Sequence, residues 1–167
     1  SVGLANSLVE RGLKSYYFVT VDYAFGQALE NDFTKALKAS GATVTGGTKF
    51  ALNTPDMSSA MLTALGSGAK SIVLAAAGGD NINGVKTARE FGLQKTGQTL
   101  VVPAAMITDV KAMGLEAAQG AVFVDSFYWN MDDRARNFGR RFEAKMKKMP
   151  TMGQAGTYSA VRHYLQA

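Results

Sequence analysis

Residues 16–41 constrain the fold of this chain more than any other stretch. Tyr16-Tyr17-Phe18-Val19-Thr20-Val21 is an unbroken run of β-branched and aromatic residues, the composition of a strand covered on both faces. Across Asp22-Tyr23-Ala24-Phe25-Gly26 the period changes. Leu29, Phe33, Ala36 and Leu37 then fall at i, i+4, i+7 and i+8, one stripe of a helix that packs on the strand and closes at Gly41. In an open parallel sheet, the loop leaving the carboxyl end of a strand lines the ligand crevice, which puts Tyr23 and Phe25 where a small molecule would be held.

The same alternation extends along most of the chain. Residues 3–11, with Leu4, Leu8 and Val9, read as a helix ended by Gly12, with no strand of its own before it. Residues 42–50 read as a weaker strand interrupted by Gly46-Gly47, followed by the loop Leu52-Asn53-Thr54-Pro55 and a helix starting at Asp56. Ser71 to Ala76 is a buried strand. Its exit loop, Ala77-Gly78-Gly79-Asp80-Asn81, has glycines that permit close approach of backbone to ligand. Ile82, Val85 and Ala88 continue as a helix to Gly92, and a polar turn over Lys95 to Gln98 leads to a fourth strand, Thr99 to Ala104. Ala105-Met106-Ile107-Thr108 leaves it, Asp109 is placed to cap a short helix through Ala117, and Ala121 to Asp125 is the fifth strand.

Five strands alternating with helices predict an α/β fold built on a doubly wound, five-stranded parallel sheet. The pattern then lapses. Ser126-Phe127-Tyr128-Trp129-Asn130 is an aromatic connector, Ala135, Phe138, Phe142, Met146 and Met149 mark a long helix, and residues 150–156 read as a loop. Thr157 is expected to cap a last helix carrying Tyr158, Val161 and Leu165. These two C-terminal helices have no strand between them and belong on an edge of the sheet or in another lobe.

Several chemistries find no support. Cysteine is absent, which removes disulfides, thiol nucleophiles and thiolate metal sites. His163, the one histidine, has no carboxylate at ligand spacing. Neither a G-x-S-x-G elbow, nor H-E-x-x-H, nor a phosphate-binding G-x-x-x-x-G-K-[ST] occurs. Asp22, Asp56, Asp80 and Asp109 all follow strand ends and could gather into an acid/base or magnesium cluster, the basis of an alternative reading as a Rossmann-like enzyme. Asp56 and Asp109 read more simply as helix caps, so no catalytic residue, metal ligand or cofactor is assigned. The net charge of +5 does not indicate nucleic acid. Residues 1–131 carry ten basic and ten acidic groups, while residues 132–149 carry seven basic against three acidic, as on one solvated helix face. No run approaches the roughly 18 apolar residues of a membrane span, so no direct membrane insertion is expected. What the exit loops share is rings and glycines, a surface suited to an apolar or aromatic body oriented by a few hydrogen bonds.

These loops also match a known pattern. Val21-Asp22-Tyr23-Ala24-Phe25-Gly26, the segment Phe50 to Asp56, Ala77-Gly78-Gly79-Asp80 and Gly156-Thr157-Tyr158-Ser159-Ala160-Val161 resemble the type I, branched-chain amino-acid class of periplasmic substrate-binding proteins that serve ABC importers. The resemblance spans essentially all 167 residues. It implies a Rossmann-like lobe over residues 1–124, a crossover connector over 125–130, and helices of an incomplete partner lobe over 131–167, so that the chain is a fragment centred on the second lobe. It further implies a ligand site at Tyr23, Ala24, Phe25, Ala76, Ala77, Gly78, Asp80, Ala105, Met106 and Tyr128, with Phe25 packing over the ligand.

The implied function is extracytoplasmic or periplasmic capture of a small solute for an ABC permease, without enzymatic chemistry. No signal peptide is expected within these residues. Members that bind α-amino acids carry an acidic residue after the fourth strand, where this chain has Pro103-Ala104-Ala105-Met106. The expected ligand is therefore a carboxylate or amide with an apolar or aromatic body, with Asp80 available to a donor group. The ligand-sensing domain of a receptor or transcription regulator is the alternative, and self-association of the isolated chain is expected from the aromatic connector and the last two helices.

Overall fold

The strand-loop-helix unit forms where its residue pattern requires, and the rest of the sheet assembles on either side of it. In the computed structural model, which describes residues 2–166, α1 (Val2–Glu10) leads to β1 (Ser15–Val21), α2 (Ala24–Ala39), β2 (Thr43–Phe50), α3 (Ser58–Gly66), β3 (Ser71–Ala75) and α4 (Gly79–Glu90). A short α5 (Leu93–Thr96) precedes β4 (Thr99–Val102), then α6 (Ile107–Met113), α7 (Leu115–Ala118) and β5 (Val122–Phe123). The chain ends with α8 (Asp133–Met146) and α9 (Met152–Gln166). These residues divide into two units, one made of residues 2–105 and 109–124, the other of residues 106–108 and 125–166.

The first unit is the predicted α/β layer structure. All strand pairs are parallel, in the order β2-β1-β3-β4-β5. The helices cover both faces. On one, Ala5 and Leu8 of α1 and Phe33, Ala36 and Leu37 of α2 pack with Tyr16, Phe18, Val73, Ala75 and Val101. On the other, Met61 and Ala64 of α3 and Val85 and Ala88 of α4 pack with Val19, Val21, Ile72, Leu74 and Val102. Such two-sided cover explains why β3 is buried at all five positions, as a continuous apolar run demands. Tyr16 is fully buried yet satisfied: its hydroxyl donates to the Leu13 carbonyl at 2.6 Å, and burial pushes the phenol up to about 12.

Several boundaries differ from the sequence expectation, each for a local reason. β2 is continuous through Gly46-Gly47, because a register shift opposite Tyr16/Tyr17 absorbs the irregularity. β5 shrinks to Val122–Phe123, paired only with Val101 and Val102 at the edge of the sheet. Asp56 stands two residues before α3, where its carboxylate accepts the Ser58 N–H at 2.8 Å. Asp109 lies in the first turn of α6, which starts earlier, at Ile107, so it is not the cap.

The second unit is helical. α8 is capped by Asp132, whose carboxylate accepts the Ala135 N–H at 2.7 Å. Residues 150–156 are not a loop ending at Thr157: α9 starts at Met152, and Gln154 Oε1 accepts both the backbone N–H of Thr151 (2.8 Å) and its hydroxyl (2.6 Å). Thr157 is interior to α9, its hydroxyl bonded to the Gly153 carbonyl.

Candidate functional site

The order of strands sets the site before any side chain is considered. The chain passes from β1 through α2 to β2 on one side, then returns through α3 to β3 on the other side of β1. Their helices lie on opposite faces, since α2 packs with one core cluster and α3 and α4 with the other. The chain therefore leaves β1 and β3 toward opposite faces, at the position in the strand order where open α/β sheets hold ligands.

At the β1 end, the N–H of Asp22 donates to the Phe50 carbonyl at 2.7 Å, locking the exit loop to β2. Its carboxylate is held by Gln27 Nε2 at 3.0 Å and by Lys49 Nζ at 3.5 Å. Tyr23 is extended, at φ −151° and ψ 175°, and Ala24 and Phe25 form the first turn of α2. Gly26 is required there, because a Cβ at this position would collide with the Val21 carbonyl oxygen. The tight seating of the helix on the strand end leaves the two preceding rings stacked on each other, with centroids 6.0 Å apart and planes at 28°. They are 38% and 40% exposed, so each keeps a large share of its surface for something else to cover.

At the β3 end, Ala76 is buried, Ala77 and Gly78 are exposed, and Gly78 takes φ 56° with ψ −126°, a conformation essentially restricted to glycine. The chain can then turn at once into α4. Asp80 and Asn81, in its first turns, are almost wholly buried. Asp80 Oδ2 accepts the N–H of Asn53 at 3.2 Å, and Asn81 Nδ2 donates to the Ala104 carbonyl at 2.8 Å. Ala105, after β4, is buried.

Of the residues singled out from the sequence, Tyr23, Ala24, Phe25, Ala76, Ala77, Gly78, Asp80 and Ala105 stand at carboxyl strand ends of the first unit. Met106 and Tyr128 are exposed residues of the second unit. Asn53 and Asn81 were not singled out. Their only signal in the sequence is a polar residue beside Pro55 and beside Gly78-Gly79.

The aspartates at strand ends do not converge on one chemistry. Asp22 pairs with Lys49, Asp80 holds Asn53, and hydrogen bonds from Ser58 hold the exposed Asp56 carboxyl below its usual range. Among the described residues, no group of three or more His, Cys, Asp or Glu side chains is placed to hold a metal ion. A groove of about 880 Å³ runs between α1 and the C-terminal half of α2, lined by Asn6, Val9, Glu10, Asp32, Lys35 and Ser40. It faces away from the strand ends just described and carries no ring.

In the second unit, Phe138 is the centre of an aromatic cluster, 5.8 Å from Phe127, 6.0 Å from Phe142 and 4.9 Å from Tyr158. A hydrogen bond with Arg141, aided by the charge of Arg162, holds the Tyr158 phenol below its ordinary value. Grooves of about 390 and 470 Å³ flank this cluster. α9 buries no residue. Among the described residues, no helix is long and apolar enough to cross a membrane.

Known structures share this architecture. A periplasmic binding protein from Burkholderia mallei superposes with a TM-score of 0.88 at 44% identity, covering 98% of this chain and 44% of that one. A periplasmic ligand-binding protein of a branched chain amino acid ABC transporter from Burkholderia xenovorans gives 0.89 at 43% identity, with 98% and 44% covered. An ABC transporter solute-binding protein from Rhodopseudomonas palustris, in complex with 4-hydroxybenzoate, gives 0.62 at 26% identity, with 68% and 32% covered. The chain thus spans 44% of the length of the two Burkholderia proteins. No curated protein matches it. A family model described as periplasmic binding protein matches residues 1–167 throughout, and with the five-stranded parallel sheet in hand the chain belongs to that family.

Proposed function

We propose that the first unit is a ligand-gripping lobe of an extracytoplasmic solute-binding protein, the capture component of an ABC importer. The observation that carries this reading is the stacked Tyr23–Phe25 pair, held partly exposed where the chain leaves β1, the strand paired with β3, whose own exit carries the small residues Ala77 and Gly78. Rings beside bare backbone can cover a flat or branched apolar body, while exposed peptide groups orient its polar end. Tyr23, Ala24, Phe25, Ala77 and Gly78 of the first unit meet the ligand, with Ala76 and Ala105 contributing backbone. No bond is made or broken: binding favours the closed arrangement of a two-lobed protein, and a permease reads that shape.

The ligand class is a small carboxylate or amide, amino-acid-like or aromatic. Two neighbours support that range, one named for branched-chain amino acids and one in complex with 4-hydroxybenzoate. Residues 125–130 serve as a crossover and residues 131–167 as helices of the partner lobe. The absence of buried residues along α9 supports this, since its apolar positions Tyr158, Val161 and Leu165 then pack against sequence outside this chain. Isothermal titration of the full protein against leucine, valine, benzoate and 4-hydroxybenzoate tests the reading. Saturable binding of at least one, weakened by Phe25→Ala, is the expected result; binding indifferent to Phe25 would overturn the placement of the site.

A further inference from the structure

Two consecutive polar residues in the first turns of α4 are buried, Asp80 at 3% exposure and Asn81 at 0%. Burying a carboxylate and an amide is costly unless each is hydrogen-bonded, so their partners indicate what the burial accomplishes. The partners lie on different loops. Asp80 reaches the backbone N–H of Asn53, in the loop leaving β2, and Asn81 reaches the carbonyl of Ala104, in the loop leaving β4. Both residues themselves follow β3. Because β1 lies between β2 and β3, the Asp80–Asn53 bond bridges across the carboxyl end of β1 on the face carrying α3 and α4.

The bridged loop has reason to need a tether. Asn53 has φ 59°, the left-handed conformation that costs a side-chain-bearing residue and that asparagine tolerates better than most. Thr54 N–H and hydroxyl both turn back to the Ala51 carbonyl, at 3.2 and 2.5 Å, closing a tight turn just before Pro55. A carboxylate accepting the Asn53 N–H makes a charge-assisted bond, stronger than one between neutral groups, at the residue where the backbone is least comfortable.

We propose that Asp80 and Asn81 are positioning residues, a brace that joins the exit loops of β2, β3 and β4 into one rigid rim behind the Tyr23–Phe25 pair. The proposal rests on the reading of this rim as the ligand site, and neither residue has to touch the ligand. A rim ordered in advance spares the ligand the entropy of ordering three separate loops, which appears as tighter binding and slower release.

Amide hydrogen exchange on the full protein without ligand tests the brace directly. Asp80→Ala should speed exchange over residues 51–57 by about tenfold, the effect of losing one such bond, and leave β1 and β3 as in the wild type. Asp80→Asn, which keeps an acceptor oxygen, should restore most of the protection. Asn81→Ala should loosen residues 104–105 in the same way, and it tests the β4 half whether or not the Asp80→Ala protein folds. Unchanged loops, equal loosening of β1 and β3, or no rescue by Asp80→Asn would each overturn the brace.

Titration of the same proteins with leucine, valine, benzoate and 4-hydroxybenzoate separates this proposal from the one beneath it. If the wild type binds none of leucine, valine, benzoate and 4-hydroxybenzoate while exchange behaves as described, the ligand reading falls and the brace stands. If the wild type binds and Asp80→Ala binds equally well despite a loosened loop, the positioning role is overturned.

Discussion

Phe25 and Phe33 lie about two turns apart on α2 in opposite environments, and replacing each by alanine should separate gripping from folding. Phe33 is fully buried and meets Phe18 edge-on, with centroids 6.3 Å apart and planes at 84°. Its removal leaves a cavity between helix and sheet, with a cost of about 3–5 kcal/mol in stability. Phe25 stacks on Tyr23 but keeps 40% of its surface exposed, so its loss should cost less, about 1–3 kcal/mol. Its value for ligand follows from the surface left over. With 40% of the residue exposed and about 200 Å² for a phenylalanine, roughly 80 Å² can be covered, worth about 2 kcal/mol at about 25 cal/mol per Å². That corresponds to about thirtyfold in Kd. Urea denaturation measures the first quantity and calorimetric titration with 4-hydroxybenzoate and leucine the second. Phe25→Ala should weaken binding about thirtyfold and shift the midpoint less than Phe33→Ala, which should shift it strongly and leave the affinity of the folded protein within about threefold. A Phe25→Ala protein as unstable as Phe33→Ala would show that the ring belongs to the core, and an affinity unchanged within about threefold would remove it from the site.

Other perturbations follow from single contacts. Gly26→Ala should destabilise by about 2 kcal/mol or more through collision with the Val21 carbonyl, whereas Gly3→Ala, with nothing within 4 Å of the new Cβ, should be neutral or stabilising in the same urea titration. The Asp56 carboxyl should titrate below its ordinary 3.8, since Ser58 bonds to its charged form. Its contribution to stability is therefore complete above the unfolded value and lost as pH falls through the lower folded one. Carbon-13 NMR should show Ser58→Ala moving that midpoint up toward 3.8, and an unmoved midpoint would discount the hydroxyl's hydrogen bond. The isolated 167-residue chain should associate as concentration rises, because α9 exposes Tyr158, Val161, Tyr164 and Leu165. Sedimentation should show this weakened by Val161→Asp with Leu165→Glu, and a monomer at all concentrations would contradict it.

The parts of this molecule that could be read in its sequence are those decided by local covering. β1 and β3 are unbroken apolar runs because helices lie on both of their faces, and the change of period after Val21 marks the exit loop with its two rings. The short β5 could not be read, because Val and Phe suit a strand whether or not a neighbour pairs with it, and here only β4 does. The start of α9 was legible but masked. Thr151-Met152-Gly153-Gln154 carries the threonine and glutamine of a capping box, and Gln154 does bond back to the Thr151 N–H, but the nearby glycines argue for a loop. The candidate site divides in the same way. Tyr23 and Phe25 are visible because their chemistry is in the side chain and their place is set by a strand end. The Asp80–Asn53 and Asn81–Ala104 bonds are not, since each joins residues more than twenty positions apart through a backbone group that every sequence possesses. A sequence can thus show which rings stand at a strand end while concealing the hydrogen bonds beside them, because the first depends on residue type and the second on which backbone amides and carbonyls the fold happens to bring within reach.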